Sequence, residues 1–197
     1  MIKQQLQWVD DVNRLAMSLT PSQQKWVTYS GSLTGLLRTI ESPAVSFSLL
    51  GMEESSSAKT LLEPLPKPMA NLAFHCRKIT WSRYQSPWIY AESWFTPSLY
   101  DVHPEIVSSE QPLGYWLFNN PLLQRTPFQF ARVTAVDDCR TVFRNAHDCS
   151  QESSLLARRR WHTLQDNQAV LVIEVFHPPC LDHFSRFMPK TPIEELQ

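Results

Sequence analysis

The chain has 197 residues, 43% of them hydrophobic and 19% charged, with a formal net charge of −1. That is the composition of a globular domain long enough for one sizeable core, and a near-neutral chain without a basic tract excludes nucleic acid as the natural partner. No apolar run reaches the roughly 18 residues a membrane span needs, and the opening Met-Ile-Lys-Gln-Gln lacks the apolar core of a signal peptide, so a cytoplasmic protein is expected.

No repeat or low-complexity break divides the chain, which predicts a single domain over 1–197. From Ile2 to about Met17, apolar residues recur at helical spacing (Ile2, Leu6, Val9, Val12, Ala16), predicting an amphipathic helix. Thr20-Pro21-Ser22-Gln23 combines an N-cap, a proline at the first helical position and a capping-box Gln, so a second helical stretch should carry Trp26 and Val27. Ser32 should cap a third helix, Leu33 to about Ile40, whose first N–H groups offer an anion site.

Pro43 to Leu50 reads as a strand ended by Gly51, followed by a polar, proline-punctuated loop from Met52 to Met69. Leu72–Trp81 and Trp88–Phe95 read as a hairpin around Arg83-Tyr84-Gln85-Ser86-Pro87. Arg77 lies mid-strand, and alternation alone leaves open whether it or Lys78 points inward. A loop with a short helix follows to Ser109, and Pro112 should open another helix whose N–H groups near Leu113 form a second anion cradle. Gln124–Val136 is strand-like, and 137–154 reads as a surface excursion with one helical turn near Thr141–Arg144. Leu155–Leu164 should be a strand carrying Arg158, Arg159 and Arg160, at least one of them facing solvent by alternation. The tail 179–197 shows no clear element.

Within the last strand, Ala169–Phe176, a single carboxylate interrupts an apolar, β-branched run: Glu174. Such a run reads as a strand covered on both faces, where an unpaired carboxylate is costly. Glu174 should therefore be protonated, meet an arginine or line a ligand cavity. Four cysteines, Cys76, Cys139, Cys149 and Cys180, form no C-x-x-C pair, and Cys139, His147 and Cys149 lack a fourth partner for a tetrahedral metal site. Four glycines form neither a dinucleotide fingerprint nor a phosphate loop, so no metal and no nucleotide cofactor is expected.

Taken together, Ser32-Leu33-Thr34, Arg77 eleven positions before Trp88, Pro112-Leu113-Gly114, Arg125, Arg159-Arg160 and Glu174-Val175-Phe176-His177-Pro178 resemble the chorismate lyase (chorismate–pyruvate lyase) family in order and spacing. The resemblance runs from about Trp26 to Pro178. It implies an α+β fold, an antiparallel sheet with helical flaps over a buried ligand site. It also implies a cofactor-independent lyase that converts chorismate to 4-hydroxybenzoate and pyruvate, the opening step of ubiquinone biosynthesis.

By residue, the resemblance implies that Arg77 and a backbone N–H at Leu113 hold the ring carboxylate, Glu174 meets the ring hydroxyl, and Leu33 lines the site from a flap. A second arginine, Arg125 or one of Arg159 and Arg160, is required for the enolpyruvyl carboxylate, because a site for a dianion without a metal needs guanidinium forks and helix N-termini. Glu92 stands where the family pattern has an arginine near the site, and is expected to weaken dianion binding or to pair with Arg77 or Arg83. The expected partners are thus a small-molecule substrate and product, for a monomer without nucleic acid or membrane. The alternative is a non-catalytic domain of the same fold that binds or senses a 4-hydroxybenzoate-type molecule, as in the effector domains of some bacterial transcription regulators.

Overall fold

The computed structural model describes residues 6–41, 45–55, 72–133, 142–143, 154–164 and 167–184. Their frame is a sheet of β1 (Val45–Ser55), β2 (Phe74–Arg83), β3 (Ser86–Phe95), β4 (Gln124–Arg125), β5 (Gln129–Val133), β6 (Leu155–Thr163) and β7 (Ala169–Phe176). The order is β1-β2-β3-β7-β6-β4, with β5 on another part of the same edge of β6. All the pairings are antiparallel. Hence the α+β architecture read from the sequence holds, and β7 lies between β3 and β6. That central place explains its nearly continuous apolar sequence, since both faces are covered.

One face of the sheet packs Trp81, Ile89, Leu156 and Phe176 against α1 (Pro21–Val27) and α2 (Leu33–Glu41) through Trp26, Val27, Leu36 and Leu37. Trp94, Tyr90, Ile173 and Val175 form a separate cluster on the opposite face. The short helices α3 (Pro97–Val102), α4 (Pro104–Ser108) and α5 (Gly114–Asn119) close one end around Phe95, Leu117 and Val170. The capping box at α1 forms as its sequence predicts, with the Thr20 Oγ1 accepting from the Gln23 N–H at 3.2 Å and the Gln23 Oε1 accepting from the Thr20 N–H at 2.8 Å. Ser32 likewise caps α2, its Oγ accepting the Gly35 N–H at 3.1 Å.

Several elements differ from the sequence reading. The N-terminal helix is absent from the described residues: Val9 instead exchanges backbone hydrogen bonds of 2.8 and 2.7 Å with Phe130, followed by a 3-10 turn at Val12–Arg14. The outer edge of β5 offers Val9 main-chain partners, and that pairing overrides the helical period. Gly51 does not end β1, which runs on to Ser55 across a bulge between Leu49 and Gly51.

The β2–β3 hairpin is tighter than expected, its two-residue turn placing Tyr84 at φ 46° and Gln85 at φ 69°. Two left-handed residues give the twist that matches paired strands, even without Gly or Asn. The helix after Pro112 starts at Gly114, with Leu113 at the N-cap. The Gln124–Val136 stretch divides into β4 and β5, and the tail opens with α6 (Pro178–Phe184), begun by a proline pair suited to a first turn. Of the 137–154 excursion only Val142, Phe143 and Ser154 lie within the described residues, and Phe143 is buried, stacked on His177 at 5.2 Å. Cys139, His147 and Cys149 lie outside the described residues; Cys76 and Cys180 are buried thiols.

Candidate active site

The register of the sheet builds the site. Across β2, β3, β7 and β6 one row of paired residues is Arg77, Ser93, Val172, Arg160, and the next is Ile79, Ala91, Glu174, Arg158. Directly paired residues share a face, so small side chains at Ala91 and Ser93 leave a hollow between Arg77 on one wall and the β6 arginines on the other. Leu33 and Thr34 of α2 cover the hollow from above, with Leu113 and Gly114 at the start of α5. The cavity and its open mouth together hold roughly 680 Å³ of atom-free space.

Arg77 is 1% exposed and donates from Nη2 to the Ser109 carbonyl at 2.9 Å and the Gln111 carbonyl at 2.7 Å. Its Nε has no partner among the described residues, leaving a buried donor on the cavity wall. Burial lowers its pKa to about 10, so it remains a cation at neutral pH. The same residues that lead into α5 are thus latched to the arginine that faces the cavity.

Glu174 does not pair with Arg77. Its Oε2 accepts from the Arg158 Nε at 2.5 Å. Arg158, 2% exposed, also donates to the carbonyls of Val27 at 2.9 Å and Tyr29 at 3.0 Å, and its guanidinium lies over Phe128 and Phe176. The carboxylate is thereby held by a group that is itself fixed on four sides.

Arg160 lines the same cavity, donates to the Ser30 carbonyl at 3.2 Å and stacks over Phe128. Burial first, then the neighbouring Arg158 and Arg125, lower its pKa to about 10 despite the opposing pull of Glu174.

Of the residues singled out in the sequence, Arg77, Glu174, Leu33, Leu113 and Arg160 line one cavity. Arg125 does not line it: its Nη2 donates to the Leu117 carbonyl at 2.9 Å and its guanidinium stacks on Phe118, which keeps it at the rim. Arg159 faces the other way, bonded to Gln129 at 3.0 Å and lying over Trp8. No member of the arginine triplet faces solvent, although alternation required it of at least one: Arg158 and Arg160 face the cavity side and Arg159 lies over Trp8 on the other. Glu92 is also on the far face, where its carboxylate accepts from the Tyr90 hydroxyl at 2.6 Å and the Trp94 Nε1 at 2.8 Å. It belongs to the second core.

Of the titratable lining residues, two were not singled out for the site from the sequence, Arg158 and His162. The signal was present, since Arg158, Arg160 and His162 alternate on β6 and so share a face. His162 is 2% exposed, and burial together with Arg160 and Arg125 lowers its pKa to about 3, leaving the ring neutral.

An antiparallel sheet with a covered, cation-rich hollow defines a small-molecule-binding α+β domain. The chain belongs to the chorismate lyase family, whose model, described as Chorismate lyase, matches residues 3–186. A probable chorismate pyruvate-lyase of Cupriavidus metallidurans is 27% identical over 174 residues, covering 83% of this chain and 77% of that protein. Another, from Pseudoalteromonas translucida, is 29% identical over 168 residues, covering 83% and 88%.

Among solved structures, the C-terminal domain of a histidine utilization repressor from Pseudomonas syringae superposes with a TM-score of 0.51 at 11% identity, covering 68% of this chain and 92% of that one. The C-terminal domain of Yurk from Bacillus subtilis gives 0.50 at 10% identity, covering 67% and 90%. At such identity the likeness establishes the fold alone.

Proposed function

We propose that this chain cleaves chorismate to 4-hydroxybenzoate and pyruvate without a cofactor, as the opening step of ubiquinone biosynthesis. The observation that carries the reading is the charge of the cavity: Arg77, Arg158 and Arg160 against Glu174 leave an excess of two positive charges among its described lining residues. Chorismate carries two carboxylates, and a dianion balances that excess. Family membership and the two relatives named as probable chorismate pyruvate-lyases support the same substrate.

In this reading Arg77 receives the ring carboxylate through its unpartnered Nε, with the N–H of Leu113 beside it. Glu174 lies two strands away and one two-residue step along, about 12 Å between Cα atoms, which leaves room for the ring and meets the hydroxyl at its far end. Arg160, on the next strand, takes the enolpyruvyl carboxylate, and Leu33 packs on the ring. The C–O bond to the ring breaks, the hydrogen of the hydroxyl-bearing ring carbon passes to the methylene of the departing group, and the ring becomes aromatic. Aromatisation supplies the drive, so the protein's task is to orient the substrate and to hold charge on the leaving carboxylate.

Isothermal titration with 4-hydroxybenzoate tests the assignment of Arg77. Arg77→Ala should lose about 1.5–3 kcal/mol of binding, the worth of a charge-assisted hydrogen bond. An unchanged affinity would remove Arg77 from the site.

A further inference from the structure

We infer that His162 is a specificity-determining residue of this site: its imidazole N–H donates to the ligand's second acid group, alongside Arg160. The inference rests on the lyase reading, because it needs a ligand with an acid group at the β6 wall.

Three observations place it there. His162 follows Arg160 by two residues on β6, so the two side chains leave the same face, and both line the cavity. Its Nδ1 is enclosed and has no partner among the described residues. An enclosed N–H without an acceptor is rarer in folded proteins than an enclosed lone pair, which assigns the ring proton to Nε2.

A histidine kept neutral beside two arginines offers an N–H donor and adds no further like charge to the wall. Alternatives on the same element are used elsewhere: Arg158 is engaged by Glu174, and Arg159 faces the opposite core. Among the β6 side chains that line the cavity, an acid group seated on Arg160 therefore finds its next donor at His162. A ligand lacking that group, such as 4-hydroxybenzoate, leaves His162 unused.

The test compares wild type, His162→Leu and His162→Gln, the last keeping an amide near the Nε2 position. Steady-state kcat/KM for chorismate is measured beside the affinity for 4-hydroxybenzoate. His162→Leu should lower kcat/KM about 10- to 100-fold, the loss of one hydrogen bond to a charged group, with 4-hydroxybenzoate affinity within about twofold of wild type. His162→Gln should recover most of the loss.

Retained product affinity also shows that the variant is folded. A His162→Leu protein with wild-type kcat/KM overturns the inference, as does an equal loss of chorismate turnover and product affinity. A wild-type protein that makes no 4-hydroxybenzoate is a separate outcome, which removes the lyase reading before any variant is compared and the inference with it.

Discussion

Between pH 7 and pH 5 the wild-type protein should lose about 2 kcal/mol more stability than His162→Gln. The folded-state pKa of His162 is lowered from 6.5 to about 3, by burial first and then by Arg160 and Arg125. In the unfolded chain the imidazole returns to its ordinary value, so between about 6.5 and 3 the unfolded state binds a proton that the folded state refuses. Stability therefore rises with pH through that window, and it is lost as pH falls below the unfolded value.

At pH 5 the unfolded ring is about 1.5 pH units into its titration, and at about 1.4 kcal/mol per unit the loss is about 2 kcal/mol. Urea denaturation of both proteins at pH 7, 6 and 5 isolates the effect, because every other titrating group is common to the pair. Parallel pH profiles, agreeing within about 0.5 kcal/mol at each pH, would show that His162 is not enclosed among arginines.

The remaining predictions concern single side chains. Glu174→Gln should slow single-turnover conversion of chorismate by less than about tenfold, because a carboxylate tied to Arg158 is placed to orient the hydroxyl; a fall of roughly 10²–10⁴ would assign it proton transfer instead. Glu92→Arg should destabilise the fold by about 3–5 kcal/mol in thermal or urea unfolding, since it sets a buried cation against the Tyr90 and Trp94 donors; a stable variant with tighter chorismate binding would return Glu92 to the site. Gly114→Ala should force α5 away from α2, because its Cβ would meet the Thr34 Oγ1 at 2.6 Å and the Thr34 Cβ at 3.0 Å. Faster release of bound 4-hydroxybenzoate in stopped flow is the expected result, and an unaltered release rate contradicts a closed seam over the cavity.

How much of this was legible in the sequence depended on whether a signal was local. The Thr20–Gln23 box and the Ser32 cap form because their partners lie within one turn. The apolar run around Glu174 announced a strand covered on both faces, and Arg77 and Glu174 do line one cavity.

What failed was decided by distant chain. Val9 follows the edge of β5 rather than its own helical spacing, and Trp8 lies over Arg159, so that none of the three β6 arginines faces solvent although alternation required it of at least one. Arg125 and Glu92 were both expected near the site by motif position, yet the Leu117 carbonyl holds one at the rim and the Tyr90–Trp94 donors hold the other across the sheet. His162 was readable from the alternation of β6, which sets it on the face of Arg158 and Arg160 and opposite Arg159.

In the proposed reading, a cavity with two excess positive charges among its described lining residues serves a dicarboxylate that breaks down within it. Incubating the purified protein with chorismate and quantifying 4-hydroxybenzoate and pyruvate together tests it most directly. Both products are expected in equal amounts, at a rate that Arg77→Ala sharply reduces. Tight binding of 4-hydroxybenzoate with no formation of either product from chorismate would contradict it, and would make the domain a binding module on the same fold.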